Sequence, residues 1–114
     1  MVEDNKQIFA ETLLNKYPNR IPVICNRSSN ACKDTPPIEK TKYLVARELT
    51  MGQFIHIVRK RIQLPPDRAL FFFINDCIIP PTSSDMDHLY NEHKSNDKML
   101  YLTYTTENTF GSKP

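Results

Sequence analysis

The side chains that could do chemistry are few and scattered. His88 and His93 stand five residues apart, off one helical face, with Asp85, Asp87 and Glu92 around them. A metal centre draws on such groups, and so does an ordinary solvated helix surface. His56 falls in a helical run, away from its apolar face, and reads as exposed. Cys25, Cys32 and Cys77 are odd in number and form no CxxC pair, which argues for neither a disulfide framework nor a zinc site. Reduced thiols in a cytosolic protein are the simplest reading. Cys25 and Cys77 lie in strand-like runs, where small buried thiols are common. The only glycines are Gly52 and Gly111, so there is no Gly-rich phosphate loop. No catalytic constellation emerges. The chain reads as no enzyme, with no metal site and no cofactor.

Such residues need elements to position them, and length bounds those. A chain of 114 residues builds one domain with one real core. Its hydrophobic fraction of 39% and charged fraction of 25% are ordinary for a soluble protein. No apolar run is long enough to span a bilayer, and the first residues carry no signal-peptide pattern. The net charge of +2 hides an asymmetry: residues 1–62 hold 11 Lys and Arg against 6 Asp and Glu, and residues 63–114 hold 4 against 7. A basic half suits an acidic peptide or an anionic membrane surface, and also a plain solvated face. No nucleic-acid signature accompanies it.

The chain is organised around residues 42–62. Lys42 to Ala46 reads as a strand. Thr50 to Ile62 reads as a helix: Thr50 and Gln53 have capping-box spacing, and Met51, Phe54, Ile55, Val58 and Ile62 make an apolar face. Arg59, Lys60 and Arg61 suit its C-terminus, and Pro65-Pro66 stops it. Ile57 points to the flank; either a neighbouring strand covers it or a groove runs between helix and strand. Before this stretch, residues 3–17 predict a short helix with Phe9 and Leu13 on one face, ended by Pro18. Arg20 to Cys25 predicts a strand, placed by Pro22 on an edge or at a bulge. Residues 26–41 predict a long surface loop. After it, Ala69 to Ile74 is a continuous apolar run, which fits a strand buried on both faces. Asn75-Asp76 predicts a turn, and Cys77 to Ile79 a strand stub. Met86, Leu89, Tyr90 and His93 predict a second short helix, capped by Thr82, Ser83 or Ser84, and Met99 to Tyr104 the last strand. The result is an α+β fold, a ubiquitin-like β-grasp with a mixed four-stranded sheet. Its parts are a helical extension (1–17), the core (18–104) and a flexible tail (105–114).

Ordered blocks then carry a family. Lys16-Tyr17-Pro18-Asn19-Arg20-Ile21-Pro22-Val23-Ile24 resembles the KYPDRIPVI signature of the autophagy-related protein eight family. Lys42 to Val45, Gly52-Gln53-Phe54, Ile57 to Ile62, Phe71-Phe72-Phe73, Pro80 to Ser83, Leu89-Tyr90, Glu92-His93 and Glu107 to Gly111 follow in the family's order and spacing. The resemblance covers roughly residues 13–111.

The resemblance implies a ubiquitin-like modifier of autophagy. A cysteine protease would cut after Gly111, removing Ser112-Lys113-Pro114. Activating and conjugating enzymes would carry the glycine carboxyl as a thioester to the amine of phosphatidylethanolamine. Gly111 has no side chain to obstruct a narrow active-site channel. The modifier would be cytoplasmic, and on autophagosome membranes when lipidated. There it would recruit cargo receptors through short motifs with an aromatic residue and, three positions on, an aliphatic one. Such a peptide adds a strand to an open sheet edge, here the strand from Lys42. By family correspondence Pro22, Ile24, Lys42, Leu44 and Met99 line the aromatic pocket. Tyr43, Val45, Leu49, Phe54 and Ile57 line the aliphatic one. Arg20, Lys42 and Arg61 meet acidic residues of the peptide. Strand alternation puts Leu44 and Val45 on opposite faces, so each serves one pocket.

The chain departs from the family pattern in places. Relatives have two short helices before KYP, so one is expected to be lost or reduced, and residues 1–15 carry one Lys against Glu3, Asp4 and Glu11. Ala46 stands where a proline is usual and Met99 where an aromatic is. The loop at 26–41 is about two residues longer than in GABARAP, an animal member of that family. Two other classes stay open: an unconjugated β-grasp adaptor that binds peptides, and an enzyme using Cys77 or Cys25.

Overall fold

The computed structural model describes residues 2–108, with side chains from Ile8 to Glu107. The elements run α1 (Val2–Lys16), β1 (Arg20–Arg27), β2 (Lys42–Ala46), α2 (Met51–Arg61), β3 (Arg68–Ile74), α3 (Met86–His93) and β4 (Leu100–Asn108). One sheet has the order β2-β1-β4-β3. β1 pairs antiparallel with β2 and parallel with β4, and β3 pairs antiparallel with β4. The sheet is therefore mixed, with β2 and β3 as its two edges.

The core lies between the sheet and α2 with α3. Ile21, Val23 and Cys25 of β1 alternate inward with Tyr43 and Val45 of β2 and with Leu100, Leu102 and Tyr104 of β4. Met51, Phe54 and Val58 close over them from α2, and Met86, Leu89 and Tyr90 from α3. Phe54 sits at the centre, edge-on to Tyr43 at 5.4 Å and to Phe72 at 6.1 Å. The capping box forms: the Thr50 hydroxyl accepts from the Gln53 N–H at 3.1 Å, and the Gln53 side chain accepts from the Thr50 N–H at 2.9 Å. α1 lies on the other side of the sheet, with Ala10 fully buried and Glu11 3.2 Å from Lys98.

Several local expectations give way to tertiary context. Pro22 lies in a central strand, because β1 runs between β2 and β4. It is tolerated there because the pairing with β4 starts only at Val23. Even-numbered residues of β1 turn their N–H toward β4, so the donor that Pro22 lacks falls where no partner strand has begun. β3 is an edge strand, not a strand buried on both faces. Phe72 and Ile74 are buried, but Phe71 is 42% exposed.

Cys77 is exposed, and only the bridge Ile74↔Ile78 remains of the strand stub. The turn itself is tight, with Asn75 and Asp76 both at positive φ, as a hairpin turn requires. Asp85 caps α3, accepting from the His88 N–H at 2.9 Å. Thr82 and Ser84 are engaged elsewhere: their carbonyls accept the N–H groups of Gly52 and Met51 at the start of α2. β4 continues past Tyr104 to Asn108 because β3 pairs it as far as Arg68.

Candidate functional site

The outer edge of β2 is the place where this fold leaves backbone groups open. The Cys25 N–H donates to Thr41 O and the Arg47 N–H to Asn19 O. Antiparallel pairs alternate, so Tyr43 and Val45 direct their backbone groups to β1. Lys42, Leu44 and Ala46 direct theirs outward. The Ala46 carbonyl is taken by the Leu49 N–H at 3.2 Å, and the Leu44 carbonyl accepts the Arg20 guanidinium at a long 3.3 Å.

Side chains flank this edge on both faces. Towards α1, Lys42 and Leu44 border a depression of about 220 Å³ shared with Phe9, Leu13, Lys40 and Met99. Pro22 and Ile24 lie cross-strand from Leu44 and Lys42. Towards α2, Tyr43, Val45 and Phe54 belong to the buried core, Leu49 packs half-buried against it, and Ile57 of α2 is half-buried.

Of the residues assigned by resemblance, Arg20, Lys42 and Arg61 are exposed, and Ile24, Leu44, Leu49 and Ile57 half-buried. Pro22, Tyr43, Val45, Phe54 and Met99 are buried, and Phe54 is completely so. Phe54 can therefore shape a pocket floor but not touch a ligand in this state.

The electrostatics are one-sided. Lys40 and Arg61 lie over the Tyr43 ring at 5.1 and 6.0 Å, and Lys42 over the Phe9 ring at 5.2 Å. Three cations of the positive half of the sequence, Lys40, Lys42 and Arg61, thus stand over rings beside this edge. The Tyr43 hydroxyl is buried without a hydrogen-bond partner. Burial, reinforced by Cys25, pushes its pKa up, while Arg61 opposes the rise.

Phe9, Leu13 and Lys40 were not among the expected lining residues. The i, i+4 spacing of Phe9 and Leu13 was visible, but which sheet face α1 would cover was not.

The remaining chemical candidates are dispersed. Cys25 is fully buried and burial pushes its thiol up to about 12, which opposes the thiolate a nucleophile needs. Glu92 lies between His88 and His93, at 3.6 and 4.0 Å on the helix surface. Gly111 lies outside the described residues.

A β-grasp sheet crossed by α2, with an open β2 edge, defines a ubiquitin-like protein. The comparisons narrow this. The family model described as "Autophagy protein Atg8 ubiquitin like" matches residues 5–111. Autophagy-related protein 8 of Vanderwaltozyma polyspora is 49% identical over 109 residues, covering 96% of this chain and 90% of that one. The protein of the same name from Saccharomyces cerevisiae is 47% identical, covering 95% and 90%. The crystal structure of Trypanosoma brucei ATG8 superposes with a TM-score of 0.84 at 37% identity, covering 96% and 91%. This chain belongs to the Atg8 family of ubiquitin-like autophagy proteins.

Proposed function

We propose that this chain is a lipid-conjugated modifier that displays a peptide-binding groove on autophagosome membranes. In this reading a cysteine protease hydrolyses the bond after Gly111. An activating enzyme joins the new carboxyl to the nucleotidyl group of a nucleoside triphosphate, releasing pyrophosphate. An enzyme thiol displaces the nucleoside monophosphate to give a thioester, which passes to the conjugating enzyme. The amine of phosphatidylethanolamine displaces that thiol to form an amide. The chain supplies the carboxyl and the recognition surface, and the enzymes of the pathway supply the catalysis. The family match running through residue 111 supports this role for the terminus.

The observation that carries the recruiting half is the free edge of β2, with a pocket on one face and cations along it. A receptor segment adding a strand there gains main-chain hydrogen bonds from Lys42 and Leu44. Its aromatic side chain enters beside Leu44 and Met99. Its aliphatic one settles at the rim formed by Leu49 and Ile57, over the floor of Tyr43, Val45 and Phe54. Arg20, Lys42 and Arg61 steer acidic flanks.

The test is the intact mass of the protein from membrane and soluble fractions of its own cells, for wild type and Gly111→Ala. The expected membrane form ends at Gly111 and carries phosphatidylethanolamine, and Gly111→Ala gives no adduct. A wild-type protein that keeps Ser112-Lys113-Pro114 in both fractions would sink the conjugation half. Normal lipidation of Gly111→Ala would remove Gly111 from its role.

A further inference from the structure

The strands end at two poles, and the groove along β2 uses neither. β1 and β4 run parallel, with Arg27 opposite Tyr104. The loop after β1 therefore lies at the pole where β4 runs on to Asn108. There the Ser28 N–H donates to Tyr104 O at 2.8 Å. β3 starts at the same pole, with Arg68 opposite Asn108, and Arg59 of α2 donates to Arg68 O at 2.9 Å. The basic last turn of α2 thus shares this pole with the end of β4.

In that loop Arg27, Ser28, Ser29, Cys32 and Lys33 line a polar hollow of about 390 Å³, a size in the range of small-ligand sites. The loop is pinned beyond it, because Thr35 and Pro36 bond to Thr106 and Tyr104. Arg27 donates to Thr35 O at 2.9 Å, which holds its guanidinium in place. Neither Arg27 nor Lys33 has a carboxylate partner among the described residues. Asp34, next in sequence, lies 3.2 Å from Arg68 instead, and Glu39, Asp67 and Glu107 do not line the hollow. Two unmatched cations with hydroxyl donors between them suit a doubly charged phosphate, which they meet through charge-assisted hydrogen bonds.

We propose that this hollow takes the phosphate monoester of an anionic phospholipid headgroup and so seats the C-terminal pole of the chain on the membrane. This rests on the conjugation reading above and adds what orients the tethered protein. Gly111 stands three residues beyond Asn108, and three residues span at most about 11 Å. A lipid on Gly111 holds the bilayer surface that near the end of β4, close to the distance of about 8–10 Å over which charges act in physiological salt. Arg27, Lys33 and the basic turn of α2 then face headgroups. The strands run away from this pole, which leaves the β2 edge at the side, open to a peptide.

The experiment is cosedimentation of the full chain with phosphatidylcholine vesicles containing a phosphatidylinositol monophosphate. The comparison is vesicles given the same net charge by phosphatidylserine, which has no phosphate monoester. Wild type is expected to bind the first about fivefold more tightly, the worth of one further charge contact. Lys33→Gln should lower that binding about fivefold, the share of one cation at an anionic surface. Ser29→Asp puts a carboxylate in the hollow and should lower it at least as far. Both side chains are exposed, so both variants should unfold at the wild-type temperature. Lys16→Gln removes the same charge at the opposite pole, ahead of β1, and should bind as wild type does. Equal binding to the two kinds of vesicle, or equal losses in Lys16→Gln and Lys33→Gln, would reveal a diffuse field and overturn the proposal. Soluble inositol monophosphate that shifts the amide resonances of residues 27–33, with no vesicle binding, would assign the hollow to a free ligand and sink its membrane role. The vesicle test needs no conjugation, so its failure leaves the intact-mass result standing. A wild type that prefers the monophosphate vesicles yet keeps Ser112-Lys113-Pro114 retains the headgroup site and loses only the tether.

Discussion

At the residue scale, β2 separates side chains that recognise from side chains that support. Leu44 and Ile57 are half-buried on opposite sides of the strand, while Phe54 is wholly inside. A carboxylate placed at Leu44 or Ile57 would stay ionised beside water but be desolvated under a bound peptide. Leu44→Asp and Ile57→Asp are therefore expected to abolish peptide binding and leave the circular dichroism spectrum unchanged. Unaltered affinity by titration would rule the groove out. Phe54→Ala should act differently, lowering stability by about 3–5 kcal/mol as a large core truncation; urea unfolding measures it. Cys25 gives a pH dependence with a definite sign. Its thiol titrates near 9.0 when free and at about 12 when buried in the fold. Between these values the folded chain binds more protons than the unfolded one, so stability is complete below pH 9 and falls as pH rises toward 12. Tyr104, pushed by burial from 10.0 to about 12, steepens the fall above pH 10. The Cys25 share should be about 1 kcal/mol by pH 10, and Cys25→Ala should flatten the decline in urea unfolding between pH 8 and 10. An unchanged slope would mean that Cys25 ionises without unfolding.

At the element scale, α2 is the part most fully written in local sequence. Thr50, Gln53 and the spacing of Met51, Phe54 and Val58 specify its start, its cap and its buried face, and each takes its expected place. Thr50→Ala should cost about 1 kcal/mol, the usual worth of an N-cap hydroxyl, as a lower urea midpoint with unchanged slope. β3 teaches the opposite lesson. Its run Ala69 to Ile74 is apolar at every position, and local pattern cannot separate a strand covered on both faces from one at an edge. Phe72 and Ile74 alternate into the core under α2, and Phe71, on the opposite face, meets solvent, so only one face of β3 is covered. α3 was legible as a helix, but its cap was not. Ser84 and Thr82 are good caps in isolation, yet their backbone carbonyls are already committed to α2.

At the scale of the whole molecule, the loop at residues 28–41 closes one end of the core through contacts very distant in sequence. The Thr35 hydroxyl meets that of Thr106 at 2.8 Å in the interior, and the Tyr104 hydroxyl donates to Pro36 O at 2.6 Å. Arg68 joins them, donating to Thr106 Oγ1 at 2.9 Å and lying 3.2 Å from Asp34. Removing one partner of a buried pair strands the other, at about 1–3 kcal/mol. Thr35→Val and Thr106→Val should each destabilise by roughly that much, with Thr106→Val costing more because Arg68 also loses its acceptor. The double variant should cost less than the sum of the two. Strict additivity in a double-mutant cycle would show that the pair is not coupled.

The sequence by itself determined the element order, the β-grasp class, the start and core face of α2, and a family resemblance that names Gly111 and the β2 edge. All of these rest on patterns within a few residues of one another or on ordered blocks. Only the tertiary structure decided that β3 is the other edge, why Pro22 can stand in a central strand, and that Phe54 is a floor rather than a contact. It also brought Phe9 across to Lys42. Those outcomes depend on which sheet face a helix covers and which strand ends lack a neighbour. Such facts belong to pairings between distant segments, where burial and the need to satisfy backbone groups outweigh local preference.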